Sequence, residues 1–228
     1  MYQENSLNNT AVNKSRTREL KKTADGSFTL FIPEVEETYH STHGAVQESM
    51  HVFIENGLKA CDKEVIRILE VGLGTGLNAA LTLQHETKKI HYCALEPYPL
   101  SKEILNELAA SRTDQFEMKF HDVNAGEWIS IQENFSFARM EVGLEEFKSE
   151  QKFDVIYYDA FGPRVEPGLW TPARMQQCFE LLNDGGIFVT YCAKGEVRRN
   201  LQAAGFVVER LPGPPGKREM LRAKRQEF

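Results

Sequence analysis

Four times along the chain, a mainly apolar run of strand length leads into a segment with helical spacing. "VIRILEVG" precedes "GLNAALTLQHET", "IHYCALE" precedes "PLSKEILNELAA", "KFDVIYYD" precedes "TPARMQQCFELL", and "GGIFVTYCA" precedes "GEVRRNLQAAG". Strands that are apolar throughout need cover on both faces, and the intervening helices provide the crossovers that parallel pairing requires. The chain is therefore predicted to be α/β, built on a mostly parallel sheet. "FVVERL" and "REMLRA" close the pattern as strands. Only the short "PGPPGK" separates them, too little for a parallel crossover, so the last strand is expected to run antiparallel. With "FSFARMEV" as the third strand, the sheet has seven.

Ahead of this pattern lies a different texture. Residues 1–26 are polar and suit a loose terminus with a short helix or hairpin. "FTLFIPEV" reads as a strand stopped by Pro33, and "GAVQESMHVFIENGL" as a helix ending near Gly57. Residues 1–60 are thus expected to form an N-terminal appendage covering a cleft, and residues 61–228 the main domain. Between Ser111 and Ser149 the alternation falters, and "DVNAGEWISIQENFSF" reads as an insertion without a clean period.

Composition narrows the setting. The 228 residues are 41% hydrophobic and 26% charged, as in soluble globular domains. Cys61, Cys93, Cys178 and Cys192 are widely spaced without a Cys-x-x-Cys pair, which suits buried reduced thiols in a cytoplasmic protein. There is no signal peptide and no run long enough to span a bilayer. The net charge of −6 disfavours nucleic acid when taken whole. From Tyr191 onward, however, nine Lys/Arg face four Glu, a local +5 against −11 for the rest. That end can be a phosphate-binding face or merely a solvated one.

The sharpest motif is "ILEVGLGTGLN", Ile68–Asn78. A strand ends in Glu70, and Gly72, Gly74 and Gly76 lead into a helix. Glycines there let a ligand approach the backbone, and the helix start offers free N–H groups. The dinucleotide fingerprint Gly-x-Gly-x-x-Gly fails, because its sixth position is Leu77. The observed Gly-x-Gly-x-Gly resembles motif I of S-adenosylmethionine-dependent methyltransferases. Glu96, at the end of the second strand, is placed to accept hydrogen bonds from ribose hydroxyls. His40, His43 and His51, with Glu48 among them, could ligate a metal, but the spacing is not His-Glu-x-x-His, and polar lining or packing is favoured. No nucleophile-elbow spacing supports a hydrolase.

"TYHSTHGAVQES", "LEVGLGTGLN", "YYDAFGPRVEPGLWT", "GGIFVTYCAKGEVRRNLQAAGF" and "GPPGKREML" together resemble the methyltransferase domain of MnmC-type proteins, the tRNA 5-aminomethyl-2-thiouridine methyltransferases. The likeness runs from about Tyr39 to Ala223 and is weakest in the insertion. It implies a class I, Rossmann-like methyltransferase fold, and methyl transfer from S-adenosylmethionine to the aminomethyl group of a wobble uridine in tRNA. Since the chain stops at Phe228, it resembles the stand-alone type without a flavin oxidase domain. By the same resemblance, Glu70, Gly72, Gly74, Gly76 and Asn78 border the cofactor and Glu96 holds its ribose. Tyr39, Gln47 and Glu48 lie over the cleft, and Asp159 is catalytic. Where relatives often read Gly-Asp, this chain reads Gly143-Leu144, leaving Glu145 or Glu141 as candidates for the adenine contact.

Asp159 closes a core strand ahead of a Phe-Gly-Pro turn. An aspartate so placed can accept a hydrogen bond from an attacking amine and stabilise its developing charge. Phe161 and Trp170 either stack on an extruded uridine or pack in the core; the sequence leaves both open. Arg198, Arg199, Lys217 and Arg218 are candidate phosphate contacts. No metal and no membrane partner is expected, and the oligomeric state is not legible. Two other classes compete: another transferase on the same fold, such as a polyamine aminopropyltransferase, and a non-catalytic tRNA-binding module.

Overall fold

A computed structural model describes residues 17–111 and 118–226. The first part of the polar N-terminus, residues 1–16, and the start of the irregular stretch, residues 112–117, lie outside these. Where a short helix or hairpin is expected, the described residues form a hairpin: β1 (Glu19–Lys22) pairs antiparallel with β2 (Phe28–Ile32), which pairs with the short β3 (Glu37–Thr38). Pro33 ends β2 as expected, opening a single helical turn. Helix α1 then runs over Ala45–Ser49 and continues in wider π geometry through Met50–Glu55. Its apolar face enters the core, with Val52, Phe53 and Ile54 essentially inaccessible.

The alternation follows. Strand β4 (Val65–Val71) leads to α2 (Leu77–His85), β5 (Lys89–Leu95) to α3 (Lys102–Ala110). Next come β6 (Trp128–Gln132), β7 (Phe135–Met140) and β8 (Phe153–Tyr158). Helix α4 (Pro172–Leu181), β9 (Leu182–Thr190), α5 (Gly195–Ala203), β10 (Val207–Pro212) and β11 (Glu219–Lys224) complete the chain. Helix starts are explicable locally: Ser101 accepts from the Ile104 N–H ahead of α3, and Thr171 from the Arg174 N–H ahead of α4, where Pro172 sits at the first helical position.

These strands form one sheet in the order β10-β11-β9-β8-β4-β5-β7-β6. The central pairs β9-β8, β8-β4, β4-β5 and β5-β7 are parallel. Strand β11 is antiparallel to both its neighbours, as the short connection requires. The expected seven strands are present and β6 adds an eighth, hairpinned antiparallel onto β7 at the edge. Its exposure alternates weakly and both faces keep solvent contact, so it lacks the apolar signature of the inner strands. Inner strands alternate between two buried faces: Ile68 and Tyr157 pack toward α1 and α2, Leu69 and Tyr158 toward α4 and α5. All four cysteines are buried and free. No helix among the described residues is long and apolar enough to cross a membrane.

Phe53 ties α1 to the sheet, its ring 5.2 Å from that of Tyr157. Phe53→Ala is expected to cost about 3–5 kcal/mol of unfolding free energy, the range for emptying a buried aromatic site. Denaturant titration with an unchanged slope checks it; a loss within experimental error would show α1 to be an accessory layer.

Candidate active site

Strand register sets out the site. Val71 pairs with Leu95 and with Tyr158, and Leu95 pairs with Met140. The residues just past these strand ends, Gly72, Glu96, Glu141 and Asp159, therefore stand in one row along the carboxyl edge. Backbone bonds fix them there: Gly72 N–H donates to Leu95 O at 3.0 Å, Glu96 N–H to Met140 O at 2.9 Å, and Asp159 N–H to Val71 O at 3.0 Å. From β4 the chain builds outward through β5 and β7, then returns to place β8 on the other side. A crevice opens at such a reversal.

Gly72, Gly74 and Gly76 have φ of 93°, 54° and 80°. A Cβ on Gly72 would fall 2.9 Å from the Asp159 carbonyl oxygen, and one on Gly74 would fall 3.0 Å from the Tyr39 ring. Only glycine combines that backbone with that closeness. The intervening Thr75 is gripped twice, its hydroxyl by His40 Nε2 at 2.8 Å and its carbonyl by His121 Nε2 at 3.1 Å. Burial lowers the proton affinity of both imidazoles, His40 to about 4, so they are neutral at pH 7. The Glu96 carboxylate accepts from the N–H groups of Gly74 at 2.9 Å and Tyr98 at 3.0 Å.

Beneath the turn, the Asn78 amide nitrogen donates to two acids, Glu70 at 2.9 Å and Asp159 at 2.8 Å. Glu70 is 0% exposed, and burial holds its carboxyl well above the usual range. Asp159 sits at the cleft floor. Burial pushes it up to about 7, and the Glu48 carboxylate adds to the rise; the Asn78 bond and the Lys217 ammonium oppose it. Glu70 Oε2, Asn78 Oδ1 and the Tyr92 hydroxyl are buried without a hydrogen bond of ordinary geometry, although Tyr92 and Glu70 interact. Unsatisfied polar atoms in a core are rare and call for a reason.

The segment after β3 lies over this floor. Tyr39 meets the Phe161 ring edge-on at 5.1 Å and accepts a hydrogen bond from Arg18 Nε at 2.9 Å. Glu48 is buried, bonded to the Ser41 N–H at 3.0 Å and to the Lys217 ammonium. Gln47 instead points to the surface, its backbone N–H tied to Asp25. Lys217 is in the cleft wall rather than on an outer face, 3.9 Å from the centroid of the Tyr191 ring. Tyr191 in turn donates to Ala160 O at 2.8 Å.

Other sequence candidates fall elsewhere. Trp170 is 3% exposed, packed on Tyr158, and its indole N–H holds Phe161 O at 2.8 Å. It props the Phe161 wall and offers no open face. Arg199 and Arg218 are exposed and Arg198 is half-buried. Glu141 pairs with Arg139 at 2.9 Å, Leu144 is buried, and Glu145 is exposed. Among the described residues no group of three or more His, Cys, Asp or Glu is arranged to hold a metal. Sequence reading did not select His121, Tyr191 or Arg18 for the site. Nothing in their spacing marks them, since the fold alone brings them to the cleft.

A glycine turn after the first parallel strand, an acid ending the next, and an antiparallel strand inserted beside β9 define a class I methyltransferase. The sequence profile of a family described as "S-adenosyl-L-methionine-dependent methyltransferase" matches residues 85–226, and the chain belongs to that family. It is 30% identical over 217 residues to the "tRNA 5-methylaminomethyl-2-thiouridine biosynthesis bifunctional protein MnmC" of Cupriavidus metallidurans, covering 86% of this chain and 32% of that protein. The protein of the same name from Campylobacter hominis is 29% identical, covering 85% of this chain and 31% of it. The chain thus spans about a third of the length of the curated relatives it matches. The crystal structure of MnmC2 from Aquifex aeolicus superposes with a TM-score of 0.74 at 25% identity, over 100% of this chain and 79% of that one. Spermidine synthase from Thermotoga maritima shares the fold, with a TM-score of 0.54 at 14% identity over 93% of this chain and 73% of its own.

S-adenosylmethionine is the cofactor of this family, and the site fits it. Gly72 and Gly74 let the turn lie directly against Asp159 and Tyr39, which a side chain at either position would push apart. Asn78 Oδ1 is a buried acceptor still in want of a donor, and Glu70 Oε2 is buried without a hydrogen-bond partner of ordinary geometry.

The raised Asp159 has a consequence for stability. Its folded proton affinity, about 7, exceeds the ordinary 3.8, so the folded state holds the proton more tightly. The associated stability is present below about pH 4 and is lost as pH rises toward 7. Asp159→Asn should therefore gain stability over the parent, and the gain should grow from pH 5 to pH 8. Urea unfolding at both pH values checks this, and a gain independent of pH would rule out the buried acid as its source.

Proposed function

We propose that the protein transfers a methyl group from S-adenosylmethionine to the aminomethyl nitrogen of 5-aminomethyl-(2-thio)uridine at the tRNA wobble position, in the cytoplasm. The observation that carries this reading is the similarity of 86% of the chain to proteins named for 5-methylaminomethyl-2-thiouridine biosynthesis. The placement of Asp159 beside the glycine turn agrees with it. The cofactor supplies an electrophilic methyl carbon on a sulfonium, so that one N–C bond forms as one S–C bond breaks.

The chain's own residues do the rest. Gly72, Gly74 and Gly76 admit the cofactor to the backbone, Glu96 takes its ribose hydroxyls, and Glu70 with Asn78 borders its methionine end. The acceptor arrives largely as an ammonium and must attack as an amine. Asp159, poised near neutrality, accepts that first proton at its carboxylate and later hydrogen-bonds the methylated, positively charged nitrogen. Asn78 holds the carboxylate in place, and orientation of this kind supplies a large share of the rate. Tyr39 and Phe161 wall the cleft, with Phe161 the surface for the uridine and Trp170 its support. The segment from Tyr39 to Glu48 covers the cleft. Arg198, Arg199 and Arg218 contact tRNA phosphates.

Polyamine aminopropyl transfer rests on fold likeness alone. A non-catalytic module would have no use for an intact glycine turn and an acid held at neutrality. Radiolabelled S-adenosylmethionine offered with bulk tRNA, and separately with polyamines, separates the three: label is expected in tRNA only.

Asp159→Ala should leave cofactor affinity nearly unchanged and slow methyl transfer by about 10²–10⁴-fold, the range for a positioned acid–base group. Single-turnover rates measure it, and a normal rate would make Asp159 a strand cap and nothing more. Charge reversal of Arg198, Arg199 and Arg218 to Glu should remove most of the salt-sensitive tRNA affinity while sparing cofactor binding. Unchanged tRNA affinity would reduce that face to solvated surface.

A further inference from the structure

The loop between β10 and β11 carries its lysine inward. Lys217 reaches Glu48 Oε1 and lies over the Tyr191 ring, while the other Glu48 oxygen takes the Ser41 N–H. The seat is built by the loop itself. Gly216 has φ +84°, and a Cβ there would fall 2.5 Å from the His43 ring. A Cβ on Gly213 would meet the carbonyl of Lys217. The loop is therefore pressed onto the segment leading into α1, with no room for larger residues at either glycine.

Assembling a largely buried ion pair is costly, and such pairs contribute little net stability. This one adjoins the end of β8: the Tyr191 ring beneath Lys217 donates its hydroxyl hydrogen to the carbonyl of Ala160, next in the chain to Asp159. Among the described residues, the groups that face Asp159 are Glu48 from α1, Lys217 from the loop, Glu70 on β4, Asn78 on α2, Tyr92 on β5 and Tyr191 after β9. Glu70, whose own neighbours include Glu96, is neutral when burial holds its proton, as are both tyrosines. Glu48 and Lys217 are left as the charges acting directly on Asp159, with opposite sign.

From this geometry we propose that Lys217 is a positioning residue for methyl transfer: by holding the Glu48 carboxylate in an ion pair, it limits the negative charge that reaches Asp159 and so sets the pH at which Asp159 takes the acceptor's proton. This rests on the reading of Asp159 as the group facing the acceptor amine. It also gives the β10–β11 loop a second use, since any contact that draws Lys217 away leaves Glu48 uncompensated and makes Asp159 more basic.

The test is direct titration. Protein carrying ¹³C at the aspartate carboxyl groups is titrated by NMR, with the Asp159 signal assigned by its loss in Asp159→Asn. Lys217→Met is expected to move the Asp159 midpoint to higher pH and Glu48→Gln to lower pH. The double variant should return near the parent, and Lys217→Arg should stay near it. In parallel, Lys217→Met should slow single-turnover methyl transfer at pH 6 by about three- to tenfold, up to the effect of one pK unit on the deprotonated fraction. Midpoints that stay put, or that move the same way in both single variants, overturn the proposal. Should Lys217→Met not fold, Glu48→Gln decides alone, and an unmoved midpoint there overturns it. A normal rate in Asp159→Ala would sink the parent reading and this inference with it. Lost activity in Asp159→Ala with unmoved midpoints would sink only the role of Lys217.

Discussion

One side-chain amide holds the site together. Asn78 gives one hydrogen to Glu70 and the other to Asp159, joining the ends of β4 and β8 beneath the turn that starts α2. Two carboxyl groups this close cannot both be charged in a dry setting, so at least one keeps its proton. Glu70 is wholly buried, and that burial holds its carboxyl well above the usual range. Asp159, opening on the cleft, is left near neutrality, where a proton can be taken up or released at physiological pH. The register that pairs Val71 with Tyr158 makes the shared amide possible. A slip of one residue would turn Asp159 to the opposite face of the sheet.

The arrangement is kept at a cost. Buried polar atoms without partners, at Glu70 and Asn78, lower the stability of the chain by itself. Left-handed backbone at three successive glycines is tolerated but entropically unfavourable. These features lie on one row at the carboxyl edge, while the sheet beneath them is well packed on both faces. Such concentration of unfavourable terms in one place is what a site shaped for a ligand looks like, because the ligand satisfies what the chain cannot.

Much of this was legible in the sequence. Inner strands such as "VIRILEV" and "FDVIYY" are apolar on both sides, so their burial and parallel pairing followed from composition alone. Local grammar also placed the glycine turn and Asp159, both set by residues adjacent in the chain. What stayed hidden was of two kinds. Strand β6 has a wet face on either side, so its pattern resembles a loop. Trp170 could not be told from a stacking surface, because an aromatic prop and an aromatic platform have the same residue type. Lys217 read as part of a basic tail because charge counts carry no direction. Its inward turn depends on a contact between Gly216 and His43 that spans most of the chain.

That long-range contact also bears on how the cleft is closed. One wall comes from the segment after β3, through Tyr39, His40 and Glu48; another comes from the last connection in the chain, through Lys217. Neither wall is part of the parallel sheet, and the two meet through the Lys217–Glu48 ion pair, the close approach of Gly216 to the His43 ring and the hydrogen bond between His51 Nε2 and Pro212 O at 2.7 Å. The floor is fixed by strand register and a shared amide, whereas the cover is held by a largely buried ion pair and by close packing of the last loop on the segment before α1. The proton affinity of Asp159 depends on both parts, on burial from the floor and on charge from the cover. The acid is thus coupled to whatever occupies the entrance, without any movement of the sheet that carries it.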